Sequence, residues 1–255
     1  MNELALFAGA GGGILGGKLL GWRTVCAVEI DTYARRVLLA RQRDGSLGPF
    51  PIWDDVRTFD GRPWRGHVGI VTAGFPCQGI STSNQGGQGL DDERSGLFFE
   101  AARIIGEVRP DYVFLENSPN ILNRGIGRVL GSLAAMGYVG CHGVLGGESA
   151  GLDFKGERMW FVAKAPGIGW ESLLGCLDGQ HQAQGVPSPP AVDADTPGPL
   201  ERIRAHEQRC GQRALLGEPD GSSHRVDRLR VIGNMQSPLM VPLAIRSILG
   251  CLTQN

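Results

Sequence analysis

Val68-Gly69-Ile70-Val71-Thr72-Ala73-Gly74-Phe75-Pro76-Cys77-Gln78 is the stretch whose reading decides the fold. Its first six residues form a short apolar run bounded by turn residues, the pattern of a buried strand. Pro76 ends that strand, because its ring fixes φ and it has no N–H to give to a ladder. Cys77 is thereby offered at a strand's carboxyl end, the edge at which open α/β sheets receive their ligands. A solitary cysteine is most often a small buried hydrophobe. This one has company: the glycine-rich turn Phe7-Ala8-Gly9-Ala10-Gly11-Gly12-Gly13 upstream and Glu116-Asn117 at the end of an apolar run downstream.

Outward from there, strand and helix patterns alternate. Leu4–Phe7 reads as a first strand, residues 9–13 as a glycine turn, and 14–20 as a helix. Thr24–Val28 is a second strand ending at Glu29, and Thr32–Arg43 a helix with a basic outer face. A third strand follows the loop around Pro49 and Pro51 and leads to Asp54-Asp55-Val56. Helices are predicted over 95–108 and 125–136, and strands over 112–115, 138–145 and 159–162. This alternation predicts an α/β fold: a Rossmann-like, doubly wound, mostly parallel sheet. Residues 79–94 are polar and glycine-rich without hydrophobic period, as in a mobile loop. From 166 to 225 prolines accumulate and periodicity fades, which predicts either a small irregular domain or a partly disordered stretch, and a last helix is expected over 238–249. The expected division is one domain made of 1–165 and 226–255, with 166–225 as a small unit inserted in it.

A chain of 255 residues can bury a substantial core. Its net charge of −1 gives no global basic footprint, so any nucleic-acid contact must use local patches. Six cysteines without a CxxC pair, and an opening without a leader pattern, argue against structural zinc and a disulfide framework and for a reducing cytoplasm. No metal and no membrane span are expected, and a monomer is predicted. The 40 glycines are about twice the usual share of ~7% and imply many tight turns.

Glycines between a strand and a helix let a ligand approach the backbone, or simply make a tight turn. Glu29, 20 residues beyond Gly9, supports a cofactor, since a carboxylate there can bind ribose hydroxyls. Asp55 is placed either to accept from an adenine amino group or to cap a turn. Together these residues suggest an adenosyl cofactor. No Walker lysine is present, and the spacing departs from G-x-G-x-x-G. Cys77 and Glu116 pose a second problem in chemistry. A thiolate is a soft nucleophile, and a carboxyl whose pKa is raised by burial can donate a proton. The pair suits activation of cytosine: thiolate addition at C6 with protonation at N3 makes C5 enamine-like and able to accept a methyl group.

In order and spacing, Phe7-Ala8-Gly9-Ala10-Gly11-Gly12, Glu29, Gly74-Phe75-Pro76-Cys77-Gln78, Glu116-Asn117, Glu157-Arg158 and Gly233-Asn234 resemble the cytosine-5 DNA methyltransferases. The resemblance covers residues 4–164 and 226–250, and 166–225 fall where that family carries its target-recognition region. It implies transfer of a methyl group from S-adenosyl-L-methionine to cytosine C5 in double-stranded DNA, with the base flipped out because C6 is shielded within the stack. It further implies Cys77 as nucleophile, Glu116 as N3 proton donor, Arg158 as a clamp on the base and Asn117 as a support for the Cys77 loop. The cofactor would lie against Phe7, Gly9, Gly11, Glu29, Ile30, Asp55, Val56, Pro76 and Asn234. Residues 79–94 would be the loop that closes over DNA.

Five positions depart from the family. Ala5 stands where aspartate is usual, Phe154 and Gly156 replace a glutamine and an arginine, Ser118 replaces valine, and Met235 replaces a small residue. Lower efficiency or altered geometry is expected from these, not loss of activity. Two rivals remain open, an RNA cytosine substrate and a non-catalytic DNA-binding relative. Restriction partner, orphan regulator and phage self-protection fit the chain equally. The scattered His67, His142, His181, His206 and His224 share no ligand spacing. Cys26 and Cys141 read as core. Residues 201–230 hold seven arginines against five acidic residues, and Arg202, Arg204, Arg209 and Arg213 are candidates for phosphate contact.

Overall fold

A computed structural model of the chain describes residues 1–76, 97–150, 156–177 and 236–250. Among these residues seven strands form one sheet in the order β3-β2-β1-β4-β5-β7-β6. The strands are β1 (Asn2–Leu6), β2 (Arg23–Val28), β3 (Ile52–Trp53), β4 (Ile70–Gly74), β5 (Tyr112–Asn117), β6 (Val139–Leu145) and β7 (Arg158–Lys164). β1 to β5 run parallel, whereas β7 is antiparallel to both of its neighbours. The mostly parallel α/β sheet expected from the alternation is therefore present. Its strand order reverses between β1 and β4. Parallel sheets open a crevice at such a switch point, beyond the strands' carboxyl ends, and here those ends lead into Phe7–Gly9 and Gly74–Pro76.

Helices α1 (Gly12–Leu19), α2 (Thr32–Arg43), α3 (Leu97–Val108), α4 (Ile121–Arg124), α5 (Ile126–Ala135), α6 (Glu171–Leu177) and α7 (Met240–Gly250) complete the described fold. On one face Leu4, Leu6, Val71, Ala73, Val113 and Leu115 pack against α3 and α5. Helix α3 is placed by its own spacing, since Phe98, Ala101, Ile105 and Val108 recur at helical intervals and are all fully buried. Each such large aliphatic or aromatic side chain contributes about 1.5–3 kcal/mol when withdrawn from water. On the other face Ile70, Tyr112, Phe114, Trp160 and Val162 meet α6 and α7. Helices α1 and α7 come so close that a Cβ on Gly16 would lie 2.5 Å from Val241 Cγ2.

Helix α2 runs over the residues its sequence predicts, because Asp31 Oδ1 accepts from Ala34 N at 2.9 Å and fixes its start. Strand β5, parallel to β4 and antiparallel to β7, is buried at all six positions, as a central strand covered on both faces must be. Two elements go beyond the sequence reading. The short α4 bridges the end of β5 to α5, and α6 lies within 166–225, where irregular structure was expected. Its Leu173 and Cys176, one turn apart, are buried against α7. No helix among the described residues is long and apolar enough to cross a membrane.

Candidate functional site

The first half of the site is the turn after β1. Phe7 takes a left-handed φ of 53°, strained for a side chain with a Cβ. Gly11 follows with φ 90°, and a Cβ there would stand 2.8 Å from Leu38 Cδ2, so both conformation and space demand glycine. Gly11 also provides no side-chain cap for α1, which leaves first-turn amides available to a negatively charged group.

Glu29, at the end of β2, is buried to 8% exposure. Its Oε2 accepts from Gly9 N and its Oε1 from Asp31 N, both at 2.7 Å. Burial raises its pKa, and the bonds from Asp31 and Gly9 oppose that rise. The carboxyl is thus held rigidly against the glycine turn with acceptor capacity to spare.

Ile30, next in the chain, is 60% exposed. Asp55 caps the turn Val56–Thr58, accepting from Arg57 N at 3.0 Å, and pairs with the Arg57 guanidinium at 2.7 Å. These bonds hold its pKa below the usual carboxylate range. The capping role left open by the sequence is the one seen here. Val56 turns its side chain into the core and offers only backbone, with its carbonyl accepting from Arg103 Nη2 at 2.9 Å.

The second half lies one strand away. Gly74 on β4 is the direct neighbour of Glu116 on β5. Glu116 is buried to 9%, and burial raises its pKa against the opposing effects of a Gln236 hydrogen bond and the Arg158 charge. Arg158 Nε stands 3.1 Å from Oε1, and Gln236 Nε2 donates to Oε2 at 2.9 Å. Asn117, at 2% exposure, sends Nδ2 to the Phe75 carbonyl at 3.1 Å and accepts from Ser118 N through Oδ1 at 2.7 Å. It therefore secures the segment Phe75-Pro76 that precedes Cys77. A cavity of about 50 Å³ joins the halves, bordered by Phe7, Gly9, Gly13, Gly74, Glu116 and Gln236.

Glu29, Phe7, Gly9, Glu116, Asn117, Arg158 and the chain leading to Pro76 are therefore gathered along the sheet's carboxyl edge. Cys77, Asn234, Met235, Phe154, residues 79–94 and the arginines of 201–230 lie outside the described residues. Ala5, 3% exposed, borders the same cavity. Two polar residues were missed. Gln236 is 120 positions from Glu116, a pairing with no local signal. Glu3 is a fully buried carboxyl in β1, on the same face as Ala5, accepting from Thr24 Oγ1 at 2.7 Å and Thr72 Oγ1 at 2.8 Å. Its signal was a charge inside an apolar strand, where burial demands partners. Cys26 is buried, as expected, and Cys141 is half-buried. Among the described residues no group of His, Cys, Asp and Glu is arranged to hold a metal ion.

Comparison with known proteins adds a family to this geometry. A family model described as C-5 cytosine-specific DNA methylase matches residues 1–190. Type II methyltransferase M.NgoBI of Neisseria gonorrhoeae is 34% identical over 171 residues, 66% of this chain and 51% of that protein. M.DsaV of Dactylococcopsis salina is 33% identical over 169 residues, 64% of this chain and 45% of that protein. M.Eco47II of Escherichia coli is 37% identical over 127 residues, 50% of this chain and 29% of that protein. The chain thus spans between 29% and 51% of the length of these relatives. The crystal structure of the S. pombe Dnmt2 methyltransferase shares the fold, with a TM-score of 0.62 over 99% of both chains at 18% identity.

Proposed function

The chain belongs to the C-5 cytosine-specific DNA methylase family, and on that premise we propose that it methylates C5 of cytosine in double-stranded DNA through a transient Cys77–C6 bond. The observation that carries this is the buried Glu116 beside the Gly74-Phe75-Pro76 exit of β4, the segment that Asn117 holds and that leads directly to Cys77.

The cofactor side fits S-adenosyl-L-methionine in its chemistry. Uncapped amides at the start of α1 suit a carboxylate, and the anchored Glu29 suits paired hydroxyls. Phe7, Gly9, Gly11, Glu29, Ile30 and Pro76 would hold it, with Asn234 joining from the C-terminal segment. Asp55 and Val56 would contribute by shaping the turn beside it. When bound, the cofactor supplies an electrophilic methyl group.

The remaining steps fall to the chain's own side chains. The Cys77 thiolate adds to C6 of an extruded cytosine, and Glu116 gives its proton to N3, so the electron pair of the C5–C6 double bond is directed to C5. Once C5 carries the methyl group, its hydrogen leaves to a base, the C6–sulfur bond breaks, and Glu116 recovers the proton from N3. Glu116 must enter this cycle protonated, and its burial favours that form. Arg158 sits against one carboxyl oxygen and holds its direction. Residues 166–225 would carry target recognition, with Arg202, Arg204, Arg209 and Arg213 at the phosphates.

Transfer of a labelled methyl group to duplex DNA and to tRNA, each followed by base analysis, tests the reading. Label in 5-methylcytosine of DNA supports it. Label confined to RNA, or none in either, overturns it.

A further inference from the structure

We propose that Gln236 is a positioning residue for the acid: its side-chain amide, seated between Gly13 and Gly74, tethers one oxygen of Glu116 while Arg158 holds the other. The inference rests on the reading of Glu116 as proton donor.

Its geometry comes from three elements. Gln236 Nε2 donates to Glu116 Oε2 at 2.9 Å from the segment that enters α7, and Arg158 Nε faces Oε1 at 3.1 Å from β7. A carboxyl held at both oxygens from different directions cannot turn about its terminal bond. The space for the amide exists only because two neighbours lack side chains. A Cβ on Gly13 would stand 2.6 Å from Gln236 Oε1, and one on Gly74 would stand 2.8 Å from Gln236 Nε2 and 3.0 Å from Glu116 Oε2. Two glycines on different elements, α1 and β4, thus make one seat for one amide.

The choice of an amide follows from what an acid must do. Glu116 alternates between carboxylic acid and carboxylate during a proton-transfer cycle. An amide donates to the carboxylate through its N–H and, after exchanging ends, accepts from the acid through its oxygen. It can therefore hold both forms, the carboxylate more firmly because that hydrogen bond is charge-assisted, and it adds no net charge. Arg158, which only donates, favours the ionised form alone. Around Glu116, β7 contributes the charged Arg158, whereas the turn after β1, α1 and β4 contribute the neutral Phe7, Gly13 and Gly74, and the C-terminal segment contributes Gln236.

The test uses Gln236→Met, which keeps length and loses the donor, Gln236→Glu, and Gly13→Ala, which displaces the amide while keeping it in the sequence. Carbon-13 NMR of labelled glutamate carboxyls, with the Glu116 signal assigned by Glu116→Gln, reads the tether without reference to activity. The Glu116 titration midpoint moves to higher pH in Gln236→Met and Gly13→Ala, and further in Gln236→Glu, where two carboxyls share the seat. In kinetics, kcat of Gln236→Met falls roughly ten- to a hundredfold, the factor associated with a lost hydrogen bond to a charged group. The alkaline limb of its pH profile moves up and cofactor Kd stays within about twofold. A merely structural role would not move that limb. Midpoint and limb unchanged in both Gln236→Met and Gly13→Ala would overturn the proposal. A wild-type chain that methylates no nucleic acid while the midpoint still moves would leave the tether standing and remove the methyltransferase reading.

Discussion

Replacing Glu3 by glutamine should make the protein more stable at pH 8 and leave it almost unchanged at pH 4. Glu3 is fully buried in β1, and burial raises its pKa from 4.5 to about 7 against the hydrogen bonds from Thr24 and Thr72. Below the unfolded value of 4.5 both states are protonated, and the contribution of the group is whole. As pH rises, the unfolded chain ionises first while the folded one keeps its proton, so stability is lost until the folded carboxyl also ionises near 7. The interval corresponds to about 3 kcal/mol, at roughly 1.4 kcal/mol per pH unit. Glutamine keeps the shape, cannot ionise, and can bond both threonine hydroxyls through its oxygen and its NH2. For a domain of this size the gap at pH 8 amounts to roughly 6–12 °C in Tm. Thermal melts of both proteins from pH 4 to 8.5 check it, the difference between them cancelling all groups they share. A gap that stays constant with pH, or a wild type that melts higher at pH 8, would refute the reasoning.

Other perturbations reach the site itself. Glu29→Ala frees the Gly9 and Asp31 amides together and should weaken cofactor binding by roughly tenfold or more, as read by calorimetric titration, with the overall fold retained. Arg103→Leu deprives the Val56 and Phe59 carbonyls of their guanidinium donor, so cofactor KM should rise while kcat changes less than about threefold. A fall in kcat with KM unchanged would contradict that role. Gly11→Ala forces a Cβ into a left-handed backbone and towards Leu38, and should cost about 1–2 kcal/mol from conformation alone in chemical denaturation.

Legibility in the sequence tracked the range of the interactions involved. Helix α2 could be read to its ends because its pattern is local, and β4 and β5 because continuous apolar runs bounded by turns announce buried strands. The glycine turn and Glu29 were readable for the same reason, as one strand-turn-helix unit. Helix α6 was not: its few apolar residues stand at the head of a proline-rich stretch, and only contact with α7 shows which face they bury. Asp55 was ambiguous because capping and ligand binding favour the same residue type at a strand's end. Glu3 was overlooked because the first strand was read from Leu4 onward, whereas β1 begins at Asn2 and tertiary packing buries the carboxyl. Gln236 became visible only when the chain folded back and brought it to Glu116.

Trapping of a covalent adduct with a duplex carrying 5-fluorocytosine tests the central claim most directly, because fluorine at C5 cannot depart as a proton does and the sulfur stays bonded to C6. In the presence of S-adenosyl-L-methionine the wild-type chain should form a denaturant-resistant complex with such DNA, Cys77→Ala should form none, and Glu116→Gln should form far less. An adduct that persists in Cys77→Ala, or methylation of ordinary DNA by that variant, would contradict the account.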